Sequence, residues 1–473
     1  MIGPIFLIDG DGTLPQPFLH NFVVWRMVSR SPFWMFWTYF KRTFRRGSPI
    51  LPFQLVYCLV FTLPGFLLIW WILDDNASAN RDLEPELLHM ERALDKHLAL
   101  ESSLKAVLIE KGILSDHKII SHVHLPVLLI ACNRPAVKRT LDALIKHRTN
   151  VADLRPGDFP IIVSHGCQDG PTANVIASYG DIISVIHFED KSSPPAINLT
   201  RHQLPYRSVA HHYKFALDHM FLTLNYSAVI VVEDDLDIAP DFFEYFAATL
   251  PLLETDRRLF CVSAWNDNGR PQLINIDRND LIYRTDFFPG LGWMLLRDFW
   301  LEIRDGWPDV YWDEYMRKPK VHRNRACLRP ELGRTTTFGR VGISRGQYFD
   351  KYLKSMYLNT IKYNFLRADL SYLWEPIYVH RWRVKVYEEA KSISIDDLLR
   401  DQLPPIKLSP ILRVTYITQK DYLQIARYLG VMEDIKSGVM RNAFRGVVPL
   451  TWKQRLLFIA PPINWTAYPT DWV

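Results

Sequence analysis

The chain has 473 residues, 48% hydrophobic and 23% charged, with a formal net charge of +5. That is ordinary globular composition, with length for about three average domains. Residues 1–48 alone hold +4 of the charge, so the remainder is nearly neutral, which argues against a nucleic-acid-binding body.

Arg26, Arg30, Lys41, Arg42, Arg45 and Arg46 stand before PILPFQLVYCLVFTLPGFLLIWWIL, residues 49–73, a run without a charge. As a helix it is long enough to cross a hydrocarbon core of roughly 30 Å, and Pro52 and Pro64 are tolerated if the freed carbonyls find local partners. The basic flank on one side, with Asp74 and Asp75 on the other, puts the N-terminus in the cytosol and everything after residue 75 beyond the membrane. The run is longer than a signal-peptide core and begins far from the N-terminus. LPQPFLH and SPFWMFWTYF, inside the first 48 residues, are assigned no role. Asn76, Asn198, Asn225 and Asn464 each open an N-x-S/T triplet, which suits that compartment as a pattern of low specificity.

Residues 81–111 read as a helix, with Leu83, Leu87, Met90, Leu94, His97, Glu101, Leu104 and Leu108 spaced by four and three. His97 and Glu101 break the stripe, so a strict coiled coil is not expected. Such a helix either holds the body off the membrane or packs against it. From residue 125 the texture changes. LPVLLIAC, FPIIVSHGC, DIISVIHF and AVIVV are short apolar runs; AVKRTLDALIKHR and residues 206–222 between them have helical spacing. This alternation predicts an α/β fold with a mainly parallel sheet covered on both faces. Cys132 and Cys167 end the first two strands; adjacent parallel strands bring them to one sheet edge, which pairs them and leaves Cys261 with Cys327, although four cysteines permit three pairings. Beyond 335 the periodicity weakens to strand-like YEEAKSI and PILRVTYI and a helical YLQIARYLGVMEDIKSG.

The apolar run AVIVV is followed by Glu233, Asp234 and Asp235. A cluster of acids is most simply a solvated turn. Here it lies beyond the carboxyl end of a buried strand, where open parallel sheets bind ligands, and it precedes a helix start. Strand alternation lets at most one or two of the three address one ligand. Carboxylates are hard ligands suited to magnesium or manganese with phosphate oxygens completing the shell, and Asp235, nearest the loop, is the first choice for the metal. Asn133 and Arg134 follow the first strand within reach of a phosphate or base. His211 and His212 lie in a helix, where a histidine is usually structural. FCVSAWNDNG suits sugar hydroxyls and ring faces, and FFPGLGWMLL supplies Gly290 and Gly292 for close backbone approach. Asp313, in VYWDEYMRKP, is a candidate general base if an aromatic wall excludes water and raises its pKa; the plainer reading is helix-start decoration.

Taken together in this order, EDDLDIAPDFFEYF, FCVSAWNDNG, YRTDFFPGLGW, WDEYMR, RACLRPE and TTTFGRVGISRGQYFD resemble the N-acetylglucosaminyltransferase I family from about residue 125 to the C-terminus. The resemblance implies a Rossmann-like nucleotide-sugar transferase fold of the GT-A type with a smaller C-terminal domain, behind a single N-terminal transmembrane helix. The implied division is a cytosolic tail (1–48), an anchor (49–73), a stem (74–120), a donor-binding and catalytic domain (121–335) and an acceptor-side region (336–473). It further implies Mn²⁺, an inverting transfer of N-acetylglucosamine from UDP-N-acetylglucosamine to an N-glycan mannose, and a place in the Golgi membrane. By motif, Asp235 matches the metal ligand and Asp313 the catalytic base. Arg134, His212, Glu233, Asp234, Ile343 and Ser344 match donor-side positions. Partners are then N-glycans on glycoproteins, the nucleotide sugar and the membrane, not nucleic acid, with any oligomerisation running through anchor and stem.

One departure falls on the donor's base. The family pattern SQD, whose aspartate contacts uracil, is here Ser164, His165 and Gly166, which leaves Asp169 in the loop, or backbone alone, to hold it. Two rivals are set against this reading. Transfer to protein O-mannose calls for an additional sugar-binding domain that residues 75–120 are too short to hold. An inactive membrane-anchored glycan-binding protein would need neither EDD nor WDEYM.

Overall fold

Short β-branched and aliphatic runs set the plan. The computed structural model describes residues 95–96, 99–107, 123–149, 151, 154–190, 199–343 and 346–472. The anchor expected at 49–73 and most of the stem lie outside these residues, and no helix among the described residues is long and apolar enough to cross a membrane. Residues 99–473 form one compact unit.

The chain runs through β1 (Val127–Ala131), α1 (Val137–Arg148), β2 (Ile161–His165), α2 (Gly170–Ala177), β3 (Ser184–His187), α3 (Gln203–Asp218), β4 (Ala228–Glu233), β5 (Leu236–Ile238), α4 (Phe242–Thr255) and β6 (Leu259–Ser263). It continues with β7 (Ile282–Thr285), β8 (Trp293–Leu296), α5 (Arg297–Ile303), α6 (Trp312–Met316), α7 (Pro319–His322), β9 (Ala326–Pro330) and β10 (Thr335–Thr337). Eight of these strands make one sheet in the order β3-β2-β1-β4-β8-β6-β9-β7. β8 and β7 are antiparallel to their neighbours and the other six run one way, so the expected mainly parallel sheet is present.

Alternation along β1 and β4 builds a core on each face. Val127, Leu129, Ala131, Ile230 and Val232 meet Val137, Leu141 and Leu144 of α1 and Phe242, Phe243 and Phe246 of α4. Leu128, Ile130, Val229 and Val231 meet Ala210, Tyr213 and Leu217 of α3. Each fully buried aliphatic side chain contributes about 1.5–3 kcal/mol, which makes this register hard to shift. In that register Ile130 pairs with both Ser164 and Glu233, so the carboxyl ends of β2, β1 and β4 are level. The loops after them meet at one edge. Cys132 is bonded to Cys167 across this edge and Cys261 to Cys327 between β6 and β9, the pairing read from the strand ends.

The C-terminal region adds α8 (Glu375–Arg383), β11 (Lys391–Ile393), α9 (Ile395–Leu399), β12 (Ile411–Thr415), α10 (Gln419–Leu429), β13 (Ile435–Lys436), β14 (Val439–Met440), β15 (Val448–Trp452) and β16 (Arg455–Ala460). A four-stranded sheet, β11-β12-β16-β15, carries a third core that also takes in Leu273 and Phe287. Two expectations are corrected here. YEEAKSI is a strand only at its end, because Tyr378, Trp382 and Val386 keep a four-residue buried spacing that carries helical winding on through Val384–Glu389. The helix read over 422–438 stops at Leu429, where Gly430 takes a φ of 76°, the left-handed cap that favours glycine.

Candidate active site

At the carboxyl edge of the sheet the three acids after β4 take three directions. Glu233 faces α3, where the Tyr213 hydroxyl donates to it at 2.6 Å. Asp234 turns to the end of β1 and accepts from the Cys132 backbone N–H at 3.1 Å and from Arg134 Nε at 2.9 Å. Asp235 lies 3.3 Å from Arg134 through Oδ2, and its Oδ1 is buried without a hydrogen-bond partner. Burial pushes the Glu233 carboxyl up to about 7 and that of Asp235 up to about 6, with charges within the cluster adding to both. Asp234 is also raised by burial, against the pull of the Cys132 N–H and Arg134. The cluster thus holds more negative charge than its surroundings solvate, and one oxygen remains uncommitted.

The segment after β10 lies over this cluster. Arg134 donates to the Val341 carbonyl at 2.9 Å, and a side-chain carbon on Gly339 would collide with the Asp235 carboxylate. Ile343 lines the same cleft; Ser344 lies outside the described residues. Among the described residues no three His, Cys, Asp or Glu side chains converge to hold an ion by themselves. A divalent cation here would take its remaining ligands from what it binds.

His212 faces the cleft from α3. Its Nε2 is 2.8 Å from Ser164 Oγ and its ring stacks on Phe188 at 4.7 Å, while burial holds its pKa down to about 4, so it is neutral. Gly166 leaves room for this ring, since a Cβ there would sit 3.1 Å from it. Asp169 caps α2 through Oδ2, which accepts from the Thr172 N–H and hydroxyl at 2.9 and 2.5 Å, and it is not among the residues that line the cleft. Cys167 and Gln168, at φ 62° and 50°, are the residues of this loop that line the cleft.

Asp313 lies on α6, a helix of five residues entered through Tyr311 at φ 54°. Trp312 anchors it by stacking on Tyr213 at 4.1 Å, with Trp293 and Trp307 each 6.0 Å away. Tyr213 therefore touches both the helix of Asp313 and the acid cluster. The expected aromatic wall is present, but it packs against Trp312. The carboxylate of Asp313 itself is 40% exposed and pairs with Arg317 at 2.6 Å.

Arg134, His212, Glu233, Asp234, Asp235, Asp313 and Ile343 line one cleft of about 1600 Å³, larger than the roughly 300–1,000 Å³ of common small-molecule pockets. Pro289, Gly290 and Leu291 form part of its wall. Gly290 and Gly292 have φ of 70° and 89°, and a Cβ on Gly292 would come within 2.7 Å of Thr335, whereas one on Gly290 would meet only Phe288 at 3.6 Å, so the close approach read from the sequence holds at Gly292 alone. Beyond Asp313 the lining is Trp265, Asp267, Met432, Lys436 and Arg441. Of the FCVSAWNDNG polar set, Asn266 and Asn268 turn inward: Asn266 donates to the Glu331 carbonyl at 2.6 Å and Asn268 accepts from the Met432 N–H at 3.0 Å.

Tyr213, Phe188 and Arg317 were not singled out from the sequence. Phe188 directly follows β3 and obeys the strand-end rule that selected the acids. Arg317 is four residues after Asp313, the spacing at which helical side chains meet. Tyr213 gave no local signal.

The GNT-I family matches residues 72–472. An alpha-1,3-mannosyl-glycoprotein 2-beta-N-acetylglucosaminyltransferase of Arabidopsis thaliana is 33% identical over 378 residues, 79% of this chain and 82% of the relative. Among solved structures, the mannosyltransferase PcManGT of Pyrobaculum calidifontis, in complex with GDP-Man and Mn²⁺, aligns at 12% identity over 67% of this chain and 76% of its own, with a TM-score of 0.27. TarS of S. aureus, residues 1–349, aligns at 13% identity over 46% and 61%, with a TM-score of 0.31.

Proposed function

The chain belongs to the GNT-I family, and from that premise we infer how its cleft works. The protein is an N-acetylglucosaminyltransferase: it moves N-acetylglucosamine from UDP-N-acetylglucosamine to O2 of the α-1,3-linked mannose of high-mannose N-glycans, the step that opens hybrid and complex N-glycan synthesis. We assign it the GT-A type of nucleotide-sugar fold, for which the strand order β3-β2-β1-β4 and a cleft at the carboxyl edge are the support.

The observation that carries the reading is the presence, in one cleft, of a buried carboxylate oxygen without a partner on Asp235 and a cleft-facing carboxylate on Asp313. All-oxygen donors and surplus negative charge fit a hard divalent cation such as Mn²⁺, held by Asp235 with Glu233 and Asp234 in support. When bound, such an ion neutralises charge on the departing diphosphate. The chain's own residues do the rest. Arg134 lies where a phosphate would meet it, and neutral His212 on Phe188 offers a flat polar wall to the donor. Asp313 takes the proton from the mannose O2 as that oxygen bonds to C1, while the bond from C1 to the diphosphate oxygen breaks on the opposite face. Inversion is a single displacement, so no nucleophilic carboxylate is required.

The charge-free run at 49–73, flanked by basic residues, supports single-pass anchoring in the Golgi membrane with the catalytic unit in the lumen. Purified full-length chain in detergent, with the donor, Mn²⁺ and a five-mannose N-glycan, is expected to yield one β-1,2-linked N-acetylglucosamine on the α-1,3 arm. Any other linkage, or no transfer, contradicts the reading.

A further inference from the structure

Asp313 alone does not have a fixed orientation. The terminal torsion of an aspartate is broad and roughly two-fold, and Asp313 stands on a helix of five residues with its side chain 40% exposed. What holds it is Arg317. One guanidinium nitrogen, Nη1, lies 2.6 Å from Asp313 Oδ2 and 3.2 Å from Glu314 Oε1. Arg317 is itself fixed: its residue is 8% exposed, Nε points to the Phe288 carbonyl at 3.4 Å, and its guanidinium lies 5.1 Å from the centre of the Phe287 ring. Glu314 is drawn the other way by Lys436 on β13, at 3.1 Å. The four groups run as a chain of alternating charge from the C-terminal region to the base, and all four line the cleft.

We propose that Arg317 is a positioning residue for the transfer: it commits Oδ2 of Asp313 and so presents Oδ1 to the acceptor hydroxyl. The same Nη1 also reaches Glu314, so one guanidinium nitrogen is shared between two carboxylates. Because the hold is made through a single nitrogen, it needs a cation at that point rather than a two-pronged fork. This rests on Asp313 being the base.

Turnover and both KM values are compared for the full-length protein, Arg317→Gln, Arg317→Lys, Asp313→Asn and the double variant Asp313→Asn with Arg317→Gln. Arg317→Gln is expected to lower kcat by about 10- to 100-fold, the scale of a small misplacement of a reacting group, with donor and acceptor KM within about threefold of the parent. Arg317→Lys is expected to restore kcat to within about tenfold. On the Asp313→Asn background, Arg317→Gln is expected to remove no more than about a further twofold, because both changes act on one unit. Equal fold-losses on both backgrounds, a loss confined to KM, or no rescue by lysine overturns the proposal. If Arg317→Gln does not fold, Arg317→Lys carries the test alone: a kcat loss of a few-fold at constant KM, absent when Asp313 is asparagine, supports it, and a loss that persists there overturns it. Normal turnover by Asp313→Asn would remove the base assignment itself. An inactive Asp313→Asn beside a fully active Arg317→Gln removes only the positioning role.

Discussion

Gly339 lacks a side chain where the Asp235 carboxylate fills the space one would take. A methyl group there cannot be accommodated without moving a loop backbone or the proposed metal ligand, so Gly339→Ala is expected to weaken Mn²⁺-dependent donor binding by at least about tenfold, as read by calorimetric titration. Binding equal to the parent would mean that the segment after β10 does not cover the metal site. At this scale the sequence placed the acids well, because a buried strand ending in a polar cluster is a local pattern. It did not tell them apart. Which acid keeps a free oxygen depends on Cys132 and Arg134, about a hundred positions away in sequence, and on Tyr213, twenty residues upstream. The cap at Asp169 was hidden for a related reason. A helix start at Gly170 takes that side chain as its cap, and the cap competes with any ligand for the same carboxylate.

Short elements in this molecule are held by side-chain packing more than by their own hydrogen bonds, since four or five residues are too few for a stable helix. α7 shows the consequence. It ends in His322, 2% exposed and stacked on Phe260 at 4.8 Å, and burial pushes its pKa down to about 4. Below pH 6.5 the unfolded chain binds a proton at His322 that the folded chain refuses until about pH 4. Stability is therefore lost as pH falls through that window, by about 1.4 kcal/mol per pH unit at its centre. His322→Phe keeps the stack and removes the titration, so its denaturant-derived stability between pH 6 and 4.5 should fall less steeply by that amount; slopes that coincide with the parent's would contradict it. The elements that the sequence misjudged, YEEAKSI and the end of α10, are those where a buried helical spacing or a glycine cap overrides strand or helix propensity.

Over the whole molecule, the sheet edge that builds the site is also covalently closed. The Cys132–Cys167 bond spans 35 residues, and chain entropy assigns such a loop roughly 3–4 kcal/mol. Replacing both cysteines by alanine is expected to lower stability by about 2–4 kcal/mol and to loosen Asp234, which accepts from the Cys132 N–H; a change below about 1 kcal/mol would indicate that the loop is ordered without it. The helical residues 99–107, for which the sequence left two roles open, pack on the body: Arg381 donates from Nε to Glu101 at 2.8 Å and Lys105 reaches Asp369 at 3.1 Å. These contacts were not legible, because their partners are more than 260 residues away. The proposed division of one cleft sets a metal and donor end at Asp235 apart from a base at Asp313. It is tested most directly by titrating UDP-N-acetylglucosamine with Mn²⁺ into Asp313→Asn and measuring turnover of the same preparation with both substrates saturating. Donor affinity is expected within about threefold of the parent and turnover lower by about 10² or more. Near-normal turnover, or donor binding lost together with it, would contradict that division.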